Sequence, residues 1–551
     1  MYDCDAEEIS QIINDFQNGK SSDIPIKVIK KSAPIISTLL SKYYNLFISQ
    51  GIFPDNLKVG KITPVFKKGD SELLENYRPI STLPVFGKIF EKVIYNRLYS
   101  FFTSQNIIYD NQYGFRKSHS TSHAINHSIT HITNELSNNK FVLGIFIDLS
   151  KAFDTIDHDK LVLKLDRYGI RGAANMLIRN YLSNRSQYIE CLNEKSEQLP
   201  IKYGVPQGSI LGPLLFLIYI NDIVNSSKLG EFVLFADDTN IFVSGNTLSE
   251  SYKKANQLLS SLNRYMISNK LHINMTKCCY ITFKPNKAKD EANDKELELK
   301  IDNFSIKHVK YTKFLGITID ENLDWKQHLI DLKRKLYHAL ATLNRIRDSV
   351  PDKLHKDLYF TLFESHLSYG ISVWGGLPQK KLDAIHVIQK KVIRILFGDN
   401  DAFKEKFKTC VRVRELDQQV LGAEFYQKEH TKPLFEKHGI LTVNNLYNYH
   451  CFLETFKILK HRQPSTLLSN YQYSRRKYLT HIQLIPPAPS NNFTYRSSVI
   501  WNCVRLKLEL NDISVSTSSV KAKLRQMLHN NQHKHHKIEW IPSFDHNISK
   551  M

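Results

Sequence analysis

An α+β fold is the class that this sequence predicts, and three observations point to it. Between about 60 and 320, β-rich apolar runs mix with stretches of helical character. Beyond about 326, leucines and isoleucines recur at spacings of three and four, the period of amphipathic helices. The chain has 551 residues, more than one compact core usually serves, so at least two domains are expected.

Taken in order, residues 1 to about 60 read as short helices broken by Gly19, Pro25, Pro34, Gly51 and Pro54. The runs 142–147, 232–235 and 241–243 read as buried strands, because each is short, continuous and apolar. Helices are expected over 160–182 and 213–224, and an exposed hairpin or loop over the Lys-rich stretch 284–300. Further on, Leu329, Leu332, Leu336, Leu340 and Leu343 share one helical face. A second helix places Leu382, Ile385, Ile388, Val392 and Ile395 together, with Lys390, Lys391 and Arg394 off that face. Those cations suit a phosphate backbone, and equally an ordinary solvated surface. Beyond 400 the sequence is basic and hard to place; His529, His533, His535 and His536 fit a solvated tail better than a metal site.

Charge narrows the partners. Lys and Arg total 75 against 54 for Asp and Glu, a net charge of +21. A surplus that large favours a polyanion such as nucleic acid, although a basic protein without such a ligand stays open on composition alone. The seven Cys are odd in number and none stands in a C-x-x-C pair, so neither a disulfide framework nor a zinc knuckle is supported. A reducing compartment fits. Met1 is followed by Asp3, Asp5, Glu7 and Glu8, unlike a signal peptide, and the longest apolar run, 214–220, is too short to span a bilayer. A soluble intracellular chain with no membrane partner is expected.

The chemistry is suggested by three acids. In Phe232-Val-Leu-Phe-Ala-Asp237-Asp238-Thr-Asn-Ile-Phe-Val243, two apolar strands flank a short polar segment, which predicts a hairpin with both Asp at its tip. Asp is also a common turn residue, so this segment alone decides nothing. The strand Val142–Ile147 runs straight into Asp148. An acid ending a buried strand is costly unless something positive meets it. If the two strands are neighbours, hard oxygen ligands would gather at one sheet edge, a set suited to Mg²⁺. Tyr203-Gly204-Val-Pro-Gln207-Gly208-Ser-Ile-Leu-Gly-Pro213 is a loop leading into an apolar helix. Gly208 there allows close backbone approach to a ligand, and Gln207 offers both donors and acceptors.

In this order, the three elements resemble the reverse transcriptases of non-LTR (LINE-type) retrotransposons, the jockey-like group in particular. The segment from Phe146 to Asp154 looks like the first palm motif of that family, Gly204 to Pro213 its second, and Phe235 to Asp238 its third. Upstream, Ile62 to Asp70, Asn76 to Ser81 and Gln112 to Arg116 resemble its finger motifs. Downstream, Leu271 to Lys277 and Phe314 to Asp320 resemble its last palm motif and primer grip, and Ser497 to Asn502 is similar to the end of such reading frames.

The resemblance implies a right-hand polymerase of α+β class, with fingers, an antiparallel-sheet palm, a helical thumb and a mainly helical basic C-terminal region. It places an N-terminal helical extension at 1–54, fingers and palm at 55–320, thumb at 321–400 and a basic region of unknown role at 401–551. Asp148, Asp237 and Asp238 would be the catalytic acids and ligands of two Mg²⁺ ions, with Mn²⁺ as a substitute. Lys67 and Arg78 match the cations that clamp the incoming triphosphate. Phe153 matches the aromatic that crowds the sugar 2′ position, and Gln207 and Gly208 would touch template or nucleotide. Lys277 matches a general acid for pyrophosphate, or is a surface lysine. The implied partners are an RNA template, a DNA primer or target, and dNTPs. The implied location is the nucleus, with a cytoplasmic ribonucleoprotein as a further site.

Only about 60 residues precede the first finger motif, too few for the separate endonuclease common in the family. Two rivals stand beside this expectation: an inactive retroelement-derived nucleic-acid-binding protein, and an RNA-dependent RNA polymerase. Phe153 argues against the second, because a polar residue is expected there to accept a 2′-hydroxyl.

Overall fold

The computed structural model describes residues 1–18, 23–191, 194–285, 297–398, 431–473, 484–485, 493–508, 510, 513 and 515–531. The fold is mixed, with sheets and many helices, and the chain packs into two compact units. The first draws on Met1–Lys117, Lys140–Thr282 and Lys287–Val309; the second on Ser118–Asn139, Phe283–Asn286 and Lys310–Met551.

The first unit opens with helices α1 (Ala6–Asp15) and α2 (Ile26–Gln50). α2 corrects the expectation of short broken helices. Ile26, Ile29, Ala33, Ser37, Ser41, Tyr44 and Ile48 form one buried stripe over all 25 residues. Pro34 lies on the exposed face, where water can take the carbonyl that its missing N–H leaves unpaired. The helix stops at Gly51, whose φ of +68° is the left-handed turn that ends helices.

Next come strands β1 (Val59–Phe66) and β2 (Tyr77–Thr82), an antiparallel pair, then helix α3 (Val85–Ser104). Helix α4 (Thr121–Ser137) belongs to the second unit. Strand β3 (Phe141–Ile147) is followed by α5 (His158–Arg167) and α6 (Gly172–Leu182). The helix expected over 160–182 is therefore two. Gly169, at φ +98°, donates its N–H to Asp166 while Ile170 donates to Leu165, a C-cap that reverses the chain.

Strand β4 (Arg185–Cys191) lies parallel to β1, and the short strands β5 (Glu194–Lys195) and β6 (Leu199–Ile201) pair with β4. Helix α7 (Leu211–Ile220) passes into a 3-10 turn over Asn221–Asn225; its apolar residues are buried on every side, so it is a core helix. The hairpin of β7 (Glu231–Phe235) and β8 (Asp238–Gly245) leads into α8 (Leu248–Ser268) and β9 (Cys279–Phe283).

β10 (Lys300–Ile301) and β11 (Phe304–Ser305) pair as a hairpin, and β12 (Lys307–His308) runs parallel to β9. The Lys-rich segment over 286–296 lies outside the described residues. The central sheet has the order β12-β9-β3-β8-β7. Its β3–β8 and β8–β7 pairs are antiparallel.

The second unit contains the antiparallel strands β13 (Tyr311–Phe314) and β14 (Ile317–Asp320) and helix α9 (Lys326–Ile346). All five leucines expected on one face of α9 are buried, and α9 packs on the helix Gln379–Phe397. In that second helix the five expected apolar residues are buried, while Lys390, Lys391 and Arg394 are half-buried at its edge. The helix Val443–His461 packs against Phe493–Lys507, with Phe452 stacked on Trp501 at 5.0 Å. His529 meets the carbonyl of Phe435 at 3.2 Å; His533, His535 and His536 lie outside the described residues.

Candidate active site

The three acids meet at one end of the central sheet. Asp148 directly follows β3, whose last residue, Ile147, pairs with Thr239 of β8. Asp238 opens β8 and pairs with Phe235, so the β7–β8 turn is only Ala236 and Asp237. Tight two-residue hairpin turns need positive φ, and Ala236 supplies it at +55°. The pairing of β3 with β8, assumed at the level of sequence, is what brings Asp148 beside the hairpin tip.

Electrostatics register that proximity. Burial, then repulsion from Asp148, raises the Asp237 carboxyl above the usual range, while Arg78 and Lys67 pull it down. Asp238 reaches solvent, yet desolvation by the surrounding sheet end, with repulsion from Asp237 and Asp148, pushes it up to about 6. Repelling carboxylates at the edge of a core form a site that a cation would relieve. Hard oxygen donors with no thiolate or imidazole among them fit Mg²⁺. Among the described residues no three His, Cys, Asp or Glu side chains stand close enough to hold an ion unaided. Mg²⁺ commonly takes one or two protein carboxylates and draws its other ligands from water and phosphate.

Cations face the acids. Arg78 pairs with Val65 across β1 and β2, and the Lys67 N–H donates to the carbonyl of Asn76 at 2.8 Å. Both side chains are exposed at the open end of that ribbon. The Lys67 ammonium is held below its ordinary range, first by desolvation, then by repulsion from Arg78 and Lys277. Lys277 reaches the acids through backbone pairing. Ser150 N–H donates to His272 and Asn274 N–H to Asp148, each at 2.8 Å, and Leu149 bridges Ile273. The Lys277 ammonium then lies 2.9 Å from Asp148 Oδ2.

The loop before α7 lines the same region. Gly204 N–H donates to Ile156 and Val205 N–H to Phe153. The Gln207 side-chain amide donates to both Asp154 oxygens, at 2.9 and 3.1 Å. Ser81 N–H of β2 donates to the Gln207 carbonyl at 2.7 Å, and a Cβ on Gly208 (φ +124°) would stand 2.5 Å from Ser81 O. Glycine is required there by close backbone approach, here to β2. Asp154, Gln207, Ser81, Gln187 and Tyr203 line an adjoining cleft of about 420 Å³. Phe153 is half-buried, stacked on Phe216 at 4.7 Å and edge-on to Phe115 at 6.1 Å.

The structure thus gathers Asp148, Asp237, Asp238, Lys67, Arg78 and Lys277 within the first unit, with Gln207, Gly208 and Phe153 on the adjoining loops. Lys390, Lys391 and Arg394 belong to the second unit. Sequence reasoning missed the Asp154–Gln207 pair, although both residues stand in quoted motifs, because nothing in their spacing of 53 shows contact.

The family described as reverse transcriptase (RNA-dependent DNA polymerase) matches residues 65–319, a span that contains every acid and cation just gathered in the first unit. Residues 65–319 are a reverse transcriptase domain. The chain is 25% identical over 370 residues to the RNA-directed DNA polymerase from mobile element jockey of Drosophila melanogaster. That alignment covers 65% of this chain and 40% of the relative. It is 27% identical over 410 residues to the "Probable RNA-directed DNA polymerase from transposon BS" of the same species, covering 71% and 44%. The jockey polymerase of Drosophila funebris is 25% identical over 410 residues, again 71% and 44%. The alignments therefore cover less than half the length of these curated relatives. Among solved structures, telomerase from Candida albicans in complex with a fragment of telomeric RNA aligns at 13% identity and a TM-score of 0.37, covering 67% of this chain and 68% of that one.

Proposed function

We propose that the chain is an RNA-directed DNA polymerase that extends a DNA 3′ end with dNTPs on an RNA template, in the retrotransposition of a non-LTR element. The observation that carries the proposal is the meeting of Asp148, Asp237 and Asp238 at one sheet end, opposite Lys67, Arg78 and Lys277. In this reading the ribbon of β1 and β2 belongs to the fingers, the central sheet is the palm, and α9 with the helix Gln379–Phe397 forms the thumb.

The acids would hold two Mg²⁺ ions, or Mn²⁺ in their place; when bound, these activate the primer 3′-hydroxyl and stabilise the departing pyrophosphate. Arg78 grips triphosphate oxygens bidentately and Lys67 neutralises them as a point charge. Lys277 donates a proton to the leaving pyrophosphate. Phe153, braced by Phe216 and Phe115, crowds the sugar 2′ position. Gln207, its amide held by Asp154, turns its carbonyl oxygen to template or nucleotide. The nucleus is the site of action that a chromosomal primer requires, with a cytoplasmic ribonucleoprotein preceding it.

The test is primer extension by purified protein on an RNA template, beside Asp148→Asn and Asp237→Asn. Each variant should lose on the order of a thousandfold in rate while keeping its template affinity. Activity within about tenfold of the parent would remove the acids from the chemistry. A parent that binds template without extending it would favour a nucleic-acid-binding role alone.

A further inference from the structure

Ala236 carries the whole hairpin tip in a conformation that residues with a Cβ rarely adopt, at φ +55°. Such a residue persists only where its surroundings over-determine it. Those surroundings lie on the segment Asn111–Arg116. Leu234 N–H donates to Asn111 at 2.9 Å and Tyr113 N–H donates to Leu234 at 2.8 Å, so Gln112 runs parallel to β7 at the sheet edge. The segment is itself braced. Arg116 donates through Nη1 to the carbonyls of Tyr109, Asp110 and Gln112, and Asn111 Nδ2 donates to Glu231 at 2.6 Å.

Gln112 makes the decisive contact. Its Oε1 accepts the Ala236 N–H at 2.9 Å and the Gly114 N–H at 2.8 Å. The side chain is only 2% exposed, so neither N–H has water as a substitute. A Cβ on Gly114 would stand 2.3 Å from the Ala236 nitrogen, so this close contact also requires glycine. The next residue after Ala236 is Asp237. We propose that Gln112 is a positioning residue for the catalytic turn: one amide oxygen joins Gly114 to Ala236 and so sets where Asp237 and Asp238 point. The inference rests on the polymerase reading only for its kinetic consequence; the structural clamp is testable without it.

The experiment compares the parent with Gln112→Leu, Gln112→Glu and Gly114→Ala in the full chain. Leucine removes the acceptor at similar volume, glutamate keeps an oxygen for both N–H groups, and alanine wedges the segment from the turn. Three measurements run together: hydrogen exchange over 234–239, Mn²⁺ affinity by electron paramagnetic resonance without nucleotide, and kcat with primer–template Kd. Gln112→Leu should speed exchange over 234–239, weaken Mn²⁺ binding and lower kcat by roughly a hundredfold at unchanged Kd. Gln112→Glu should restore exchange and most of kcat, which a merely space-filling role would not require.

Parent-like exchange and Mn²⁺ affinity in Gln112→Leu would overturn the proposal, whatever its activity. Should Gln112→Leu fail to fold, glutamate and alanine decide: parent-like exchange in the first with faster exchange in the second supports the clamp. Glutamate that fails equally, or alanine with parent-like exchange, overturns it. A parent that extends no primer would sink the polymerase reading and leave the exchange result to judge the clamp alone.

Discussion

The Lys277 ammonium lies 2.9 Å from Asp148 Oδ2, although 129 residues separate the two in the chain. Both side chains are partly exposed, so the ion pair itself adds no more than ~1 kcal/mol to stability. The role proposed for it is chemical, as proton donor to the leaving pyrophosphate. Lys277→Gln should leave Tm nearly unchanged and slow extension by on the order of a hundredfold. A rate unchanged in Lys277→Gln returns Lys277 to the surface.

Asp238 gives a prediction in pH. Its carboxyl is raised from 3.8 to about 6, so the fold binds this proton more tightly than the unfolded chain does. The sign follows: the contribution is fully present below pH 4 and is lost as pH rises through about 6. Asp238→Asn mimics the protonated form. Without divalent metal, it should raise Tm at pH 8 by roughly 2 °C, a small shift because the side chain reaches solvent. The difference should vanish near pH 4. Thermal melts in EDTA across that range decide it, and a gap independent of pH would refute the assignment.

Extension itself should fall as pH drops through about 6, because the acids must be charged to hold a divalent ion. Higher Mg²⁺ should push that acid limb to lower pH, since metal and proton compete for the same oxygens. Rates at several Mg²⁺ concentrations between pH 5 and 8 test this. A limb that ignores Mg²⁺ would assign it to another group.

Phe153 is predicted to control sugar choice, and its packing qualifies the substitution that tests this. Phe153→Val removes the ring stacked on Phe216, so some loss of Tm is expected alongside any change in selectivity. Ribo- and deoxynucleotide kcat/KM, measured below the lowered Tm, should move toward one another. An unchanged ratio with lowered stability would leave Phe153 as core alone.

On the second unit, neutralising Lys390, Lys391 and Arg394 together should weaken primer–template binding without sequence preference. The slope of log K against log salt should flatten by roughly two to three units if all three meet phosphate. Their half-buried position on the helix Gln379–Phe397 makes the test sharp, because a slope that stays fixed identifies them as packing groups.

What could be read from residues alone follows the physics of each element. The strands were legible because each is a short, continuous apolar run bounded by polar residues, and the leucine face of α9 because its period is unambiguous; that the acids at the strand ends share a site was not. Pro34 misled, since whether proline breaks a helix depends on which side meets water, and that is a tertiary fact. The turn at Gly169 was hidden by helical periodicity continuing on both sides. Contacts such as Lys277 with Asp148, Asp154 with Gln207, and Gln112 with Ala236 depend on which strand lies beside which. No local pattern encodes that. α4 is a further case: its sequence falls between finger motifs, yet its buried face is completed by helices such as Phe493–Lys507.

The backbone clasp between Ser81 and the Gln207–Gly208 turn gears two parts of the first unit together. Arg78 stands three residues before Ser81 on β2, so the strand that carries this cation is latched directly to the loop. With no room for even one methyl group between Gly208 and Ser81 O, the latch has no slack. A displacement of β2 would therefore carry Gln207 with it, and a push on Gln207 would return to Arg78 along the strand. In the proposed reading, grip on the nucleotide's tail and alignment at its other end would be strokes of a single lever.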